Sequence, residues 1–133
     1  MGLVVRLYDT ILEDFRRALE ATRNGEVERR VKSLNHALLV IAELESVLDH
    51  DKGAEVARRL RGFYRVTRAL ILQENLRGQP EGIEKLIGLY LPVRQAWEEA
   101  ERNFKDEGAH KSNLRRQTVE AFVEDSPRSD WSV

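Results

Sequence analysis

The chain has no cysteine, which rules out disulfides and thiolate chemistry. That absence suits a reducing compartment. Neither sign of charge dominates. Lys and Arg number 22 and Asp and Glu 23, for a formal net charge of −1. No basic stripe stands out, so nucleic acid is not an expected partner. No apolar run is long enough to span a membrane, so no membrane insertion is expected. The first residues, Leu3-Val4-Val5-Arg6, read as the start of an amphipathic helix and not as a signal peptide. The expected location is the cytoplasm. There is no Gly-rich phosphate loop, no nucleophile paired with a base, no internal repeat and no low-complexity tract. An enzyme is therefore not expected, and function has to come from surfaces.

What is present is regular punctuation. The 133 residues suffice for one domain with one core, and 41% apolar with 34% charged residues is the balance of a soluble helical protein. Three breaks, Asn24-Gly25, Asp49-His50-Asp51-Lys52-Gly53 and Arg77-Gly78-Gln79-Pro80, separate four amphipathic stretches. Short connections make neighbouring helices antiparallel. The expected fold is all-α: an antiparallel up-down four-helix bundle over residues 1–105. A C-terminal extension, residues 106–133, reads as a linker and a partly helical or disordered tail.

Each stretch has a core row at helical spacing. The first runs Leu3, Val4, Leu7, Tyr8, Ile11, Leu12, Phe15, Ala18 and Leu19. The second, over residues 26–48, runs Val27, Val31, Leu34, Leu38, Ile41 and Leu48, widened by Ala37 and Leu44. Glu45 interrupts that row, and Leu39, Val40 and Val47 fall outside it. The third runs Val56, Ala57, Leu60, Phe63, Tyr64, Thr67, Leu70 and Ile71, with Ala69, Leu72 and Leu76 on a second, narrower strip. The fourth opens at Pro80 and runs Ile83, Leu86, Ile87, Tyr90, Val93, Trp97, Ala100 and Phe104. Pro92 inside it is expected to kink the helix near Gly88. Tyr8 and Tyr64 stand apart, because a tyrosine hydroxyl needs a polar partner or the rim of a groove.

The three histidines build no site. His36 reads as solvated, His50 as part of a turn, and His110 as part of the linker. Glu107-Gly108-Ala109-His110 has the spacing of a bundle metal motif but has no mate, so neither metal nor cofactor is expected. His50-Asp51-Lys52-Gly53 is one residue too short for a phosphotransfer histidine site.

Four strings resemble a known family. They are Leu7-Tyr8-Asp9; Leu34-Asn35-His36-Ala37 with Ile41-Ala42-Glu43-Leu44 and Leu48-Asp49; Gly53-Ala54-Glu55-Val56-Ala57-Arg58-Arg59-Leu60 with Phe63-Tyr64; and Val93-Arg94-Gln95-Ala96-Trp97. Their order and spacing over residues 3–104 resemble the FliS family of flagellin export chaperones. Thr10 stands where that family has Gly, and His36 where it has Lys. The resemblance implies a chaperone that binds the C-terminal helical segment of flagellin, prevents premature polymerisation and delivers it to the flagellar export machinery. Spare apolar residues outside a bundle core suit such a client. The expected partner-binding residues are Tyr8, Leu39, Val40, Tyr64, Leu72 and Leu76. The tail, through Leu114, Val119, Phe122 and Val123, is expected to dock on the client groove. The alternative is a structural or regulatory bundle that binds another helical partner or itself, as a homodimer.

Overall fold

The computed structural model describes residues 2–51 and 54–107, with side chains placed over 2–48 and 55–103. Four helices follow one another: α1 (Leu3–Arg23), α2 (Val27–Asp51), α3 (Ala54–Arg77) and α4 (Pro80–Glu107). The expected tail helix and His110 lie outside the described residues. Helix α4 continues two residues past the expected end of the bundle at 105.

The breaks work by backbone chemistry. Gly25 has φ of 72°, a left-handed conformation that costs glycine little. Its N–H donates to Thr22 O at 3.2 Å, and the Glu26 N–H donates to Ala21 O at 2.8 Å. These two bonds satisfy the last carbonyls of α1. Glu26 O in turn accepts the Arg30 N–H and begins α2. Gly78, with φ of 63°, also takes the left-handed conformation at the end of α3, its N–H donating to Glu74 O at 2.8 Å, and Pro80 opens α4 as expected. The second break is shorter than expected. Helix α2 absorbs Asp49, His50 and Asp51, so His50 is helical and not part of a turn. No glycine interrupts the chain before Gly53, so nothing local stops the helix earlier. Helix α4 runs on through Pro92, whose neighbour Val93 stays in the core.

Cross-links fix the direction of the helices. From α1 to α2, Glu20 meets Arg29 and Asp14 meets His36. From α2 to α3, Asn35 meets Asn75 and Glu45 meets Arg68. From α1 to α4, Asp9 meets Arg94 and Arg23 meets Glu84. In each pair one number rises as the other falls, so these neighbours are antiparallel. Helix α1 packs most extensively on α2 and next on α4, while α3 is held by fewer contacts.

The core is close to the expected rows, with corrections at the helix ends. Val5 and Ala21 are buried, whereas Leu3 and Val27, the first residues of α1 and α2, are exposed. Glu45, the defect in the second row, is paired with Arg68 between α2 and α3.

One corner joins three helices through polar groups. The buried Glu74 accepts the Gln79 N–H at 3.1 Å, at the start of α4. Arg30 donates to Asn75 O at 2.9 Å, in the last turn of α3. Gly82 leaves room for Glu74, since a Cβ there would come within 2.1 Å of its carboxyl carbon. Alanine in a helix gains about 0.8–1 kcal/mol over glycine. Displacing a charged hydrogen-bond acceptor costs about 1.5–3 kcal/mol. Gly82→Ala is therefore expected to destabilise by about 1 kcal/mol net. Gly88→Ala in the same helix, where nothing lies within 4 Å, is expected to stabilise. Urea unfolding of the two variants checks the opposite signs.

Candidate functional site

The resembling strings converge inside the bundle. The hydroxyls of Tyr8 on α1 and Tyr64 on α3 hydrogen-bond each other, and both side chains are buried. Trp97 on α4 adds a side-chain hydrogen bond to Tyr8. Thr67 and Tyr90 share a hydrogen bond of 2.7 Å beside them. The Tyr90 ring meets Phe15 edge-on, with centroids 5.2 Å apart, and Phe63 at a tilt, with centroids 5.0 Å apart. Outside this layer the Arg94 Nε donates to Asp9 Oδ1 at 2.8 Å. Burial pushes the Tyr8, Tyr64 and Tyr90 hydroxyls well above the ordinary phenol range, so they stay protonated. The Leu-Tyr-Asp, Phe-Tyr and Val-Arg-Gln-Ala-Trp strings therefore lock the helices together. Tyr8 and Tyr64, expected on the core rows but also counted as partner-binding, take the first of the two expected options for their hydroxyls: each is the other's polar partner in the core, and neither reaches the surface. Val40 is corrected too, since it belongs to the buried core cluster.

Asp14 is a buried acid that the sequence rows did not reveal. It lies on the core side of α1, beside Phe15. The imidazole Nδ1 of His36 on α2 hydrogen-bonds its Oδ2 at 2.6 Å. His36 is about half exposed, so it is a lid on Asp14 and not the freely solvated residue expected. Both side chains border an open surface depression of about 930 Å³, which Val27, Val31, Lys32 and Leu39 of α2 also line.

Burial pushes the Asp14 carboxyl above the usual range, and the His36 hydrogen bond draws it part of the way back. Its contribution to stability is therefore full below the unfolded pKa of about 4 and is lost as pH rises through the folded value. Asp14→Asn removes that loss. Its melting temperature is expected to rise relative to the wild type between about pH 3 and pH 7. A difference that does not change with pH would contradict this.

The remaining expected residues are on the surface. Leu39 is 70% exposed, Leu72 51% and Leu76 87%. The Asn35–Asn75 and Glu45–Arg68 bonds across α2 and α3 lie on either side of Leu39 and Leu72. In an antiparallel pair this sets Leu39 and Leu72 at one level, with Leu76 a turn further along. Ala42 and Ala69 are exposed on the same two helices. The exposed Val27 extends the apolar surface of α2, a residue expected in the core. Its position as the first residue of α2 was the available signal, because a core row weakens where a helix begins. The structure thus sets Leu39 and Leu72 at one level of adjoining helices, both exposed, and removes Tyr8, Val40 and Tyr64 from the surface. Among the described residues no group of three or more metal-ligating side chains comes together, and no helix is long and apolar enough to cross a membrane.

Comparison with known proteins agrees with this architecture. The family model described as flagellar protein FliS matches residues 1–103. The flagellar secretion chaperone FliS of Campylobacter jejuni subsp. jejuni is 34% identical over 101 residues, which cover 76% of this chain and 79% of that protein. The flagellar secretion chaperone FliS of Salmonella typhimurium is 31% identical over 98 residues, covering 73% of each. With the match running from α1 into α4, and so through the layer in which Tyr8, Tyr64 and Trp97 meet, the chain belongs to the FliS family.

Proposed function

We propose that this chain is a cytoplasmic, non-catalytic chaperone for flagellar export. It binds the C-terminal helical segment of flagellin, keeps that segment from polymerising early and presents it to the export machinery. The names of the relatives support the chaperone role. The observation that carries the client site is the pair Leu39 and Leu72, both more than half exposed and held level by side-chain bonds on either side. Isolated surface leucines are common. Exposed leucines on adjoining helices, with Leu76 and Val27 at the same end, form the kind of apolar strip that receives one face of an amphipathic helix.

Capture of this kind needs no catalytic group. A flagellin end exposes an apolar face that other subunits would bury. The strip buries the same face first, so chaperone and neighbouring subunits compete for it. Tyr8, Val40 and Tyr64 act indirectly, by fixing the helices that carry the leucines. The test is a polymerisation assay with flagellin from the same organism, read by sedimentation. A stoichiometric amount of the chain is expected to hold flagellin in the supernatant. Polymerisation at an unchanged rate would overturn the proposal.

A further inference from the structure

Glu45 occupies a position where an apolar side chain would serve the core. It falls on the buried row of α2, between Ile41 and Leu48, and only 23% of its side chain is exposed. The side chain of its partner on α3, Arg68, is 35% exposed, so the ion pair lies largely out of water. The cost of taking both charges out of water can exceed their mutual attraction, and a well-packed apolar pair of similar volume is often as stable or more so. Stability alone does not account for the pair.

What the pair supplies is direction. Apolar contacts are non-directional, and α3 packs less extensively on α2 than α1 does. Leu39 and Leu72 stand on opposite sides of that α2–α3 seam. The Glu45–Arg68 pair lies on one side of the two leucines, and the Asn35–Asn75 bond of 3.0 Å lies on the other. A turn of α3 equivalent to one residue would swing Leu72 through about 100°. The ion pair is also close to the locked tyrosine layer. Burial is the main cause that keeps the proton on the Tyr90 hydroxyl, and Arg68 and Glu45 act on that hydroxyl in opposite directions. Thr67, the residue before Arg68, shares a hydrogen bond of 2.7 Å with it.

We infer that Glu45 and Arg68 are positioning residues for the client: they hold α3 in the register that sets Leu72 level with Leu39, so that one face of an amphipathic helix meets both. The inference rests on the client site proposed above and adds what aligns it. The exposed Asn35–Asn75 bond is the weaker pin, because water competes for its amides. A surface aligned in advance gives up less freedom on binding. A surface aligned only about a tenth of the time binds about tenfold more weakly, since apparent affinity scales with the competent fraction.

The experiment is titration calorimetry of the full chain with the flagellin C-terminal segment from the same organism, with melting temperatures measured alongside. In Glu45→Met/Arg68→Met the ion pair is replaced by unbranched apolar side chains. This variant is expected to melt at or above the wild-type temperature and to bind the segment about tenfold more weakly. The added apolar surface would by itself favour binding, so a loss of affinity reports lost alignment. In Glu45→Arg/Arg68→Glu the pair is restored with its charges exchanged, and most of the lost affinity is expected to return. Wild-type affinity in the methionine variant overturns the inference while leaving the client site standing. A methionine variant whose melting temperature and affinity fall together makes the pair structural and overturns it as well. So does an exchanged pair that folds and binds no better than the methionine variant. A wild-type chain that does not bind the segment overturns both the inference and the client site.

Discussion

Trp97→Ala is expected to destabilise the bundle by about 3–5 kcal/mol, the usual cost of truncating a large aromatic side chain in a core. Trp97 is 6% exposed and reaches the layer where Tyr8, Tyr64 and Tyr90 meet. Alanine leaves a cavity there and removes one hydrogen bond from the Tyr8 hydroxyl. Stabilities of whole domains are only about 5–15 kcal/mol, so this one change removes a large share. The melting temperature should fall by at least about 12 °C, taking about 4 °C for each kcal/mol in a domain of this size. Chemical unfolding gives the free energy directly. A loss below about 0.5 kcal/mol, typical of surface positions, would mean that Trp97 does not hold the core.

The fold was largely legible because helices announce themselves locally. The periodicity of Ile11, Leu12 and Phe15, or of Ile83, Leu86 and Tyr90, depends only on residues a turn apart, and all six are buried. The stops at Gly25 and Gly78 are likewise local. The errors occur where a neighbouring helix decides. Val27 and Leu3 match their rows but are exposed at the first positions of their helices. Val40 is off its row but belongs to the buried core cluster. Asp14 and Glu45 break their patterns, and their partners, His36 and Arg68, are 22 and 23 residues away. The Tyr8–Tyr64 bond spans 56 residues. Sequence spacing carries no information about such pairings.

Leu72→Glu is expected to weaken flagellin binding by about 2–3 kcal/mol, or about 30- to 150-fold in affinity. Part of this is the lost burial of the leucine surface that is still exposed in the free chain. The rest is the cost of enclosing a carboxylate in an apolar contact. Melting should change little, because Leu72 is outside the core cluster. A drop in melting temperature with unchanged affinity would place Leu72 in the structural set instead.

The candidate site was legible only as a list of apolar residues off the core rows. Leu39, Leu72 and Leu76 satisfied that criterion and are exposed. The sequence could not say that Leu39 and Leu72 share a level, since that depends on how α2 is set against α3. Tyr8 and Tyr64 were counted as partner-binding because their hydroxyls need a polar partner or a groove rim. The need was correct in kind, and each meets it in the core through the other.

The central claim is that the surface formed by Leu39 and Leu72 captures the flagellin C-terminal segment. Titration calorimetry of the full chain with that segment tests it most directly. The wild type is expected to bind one segment with a negative heat-capacity change, the mark of apolar burial. The double variant Leu39→Glu/Leu72→Glu is expected to give no measurable binding while melting close to the wild type. Wild-type affinity retained in that double variant, or no binding by the wild type, would contradict the claim.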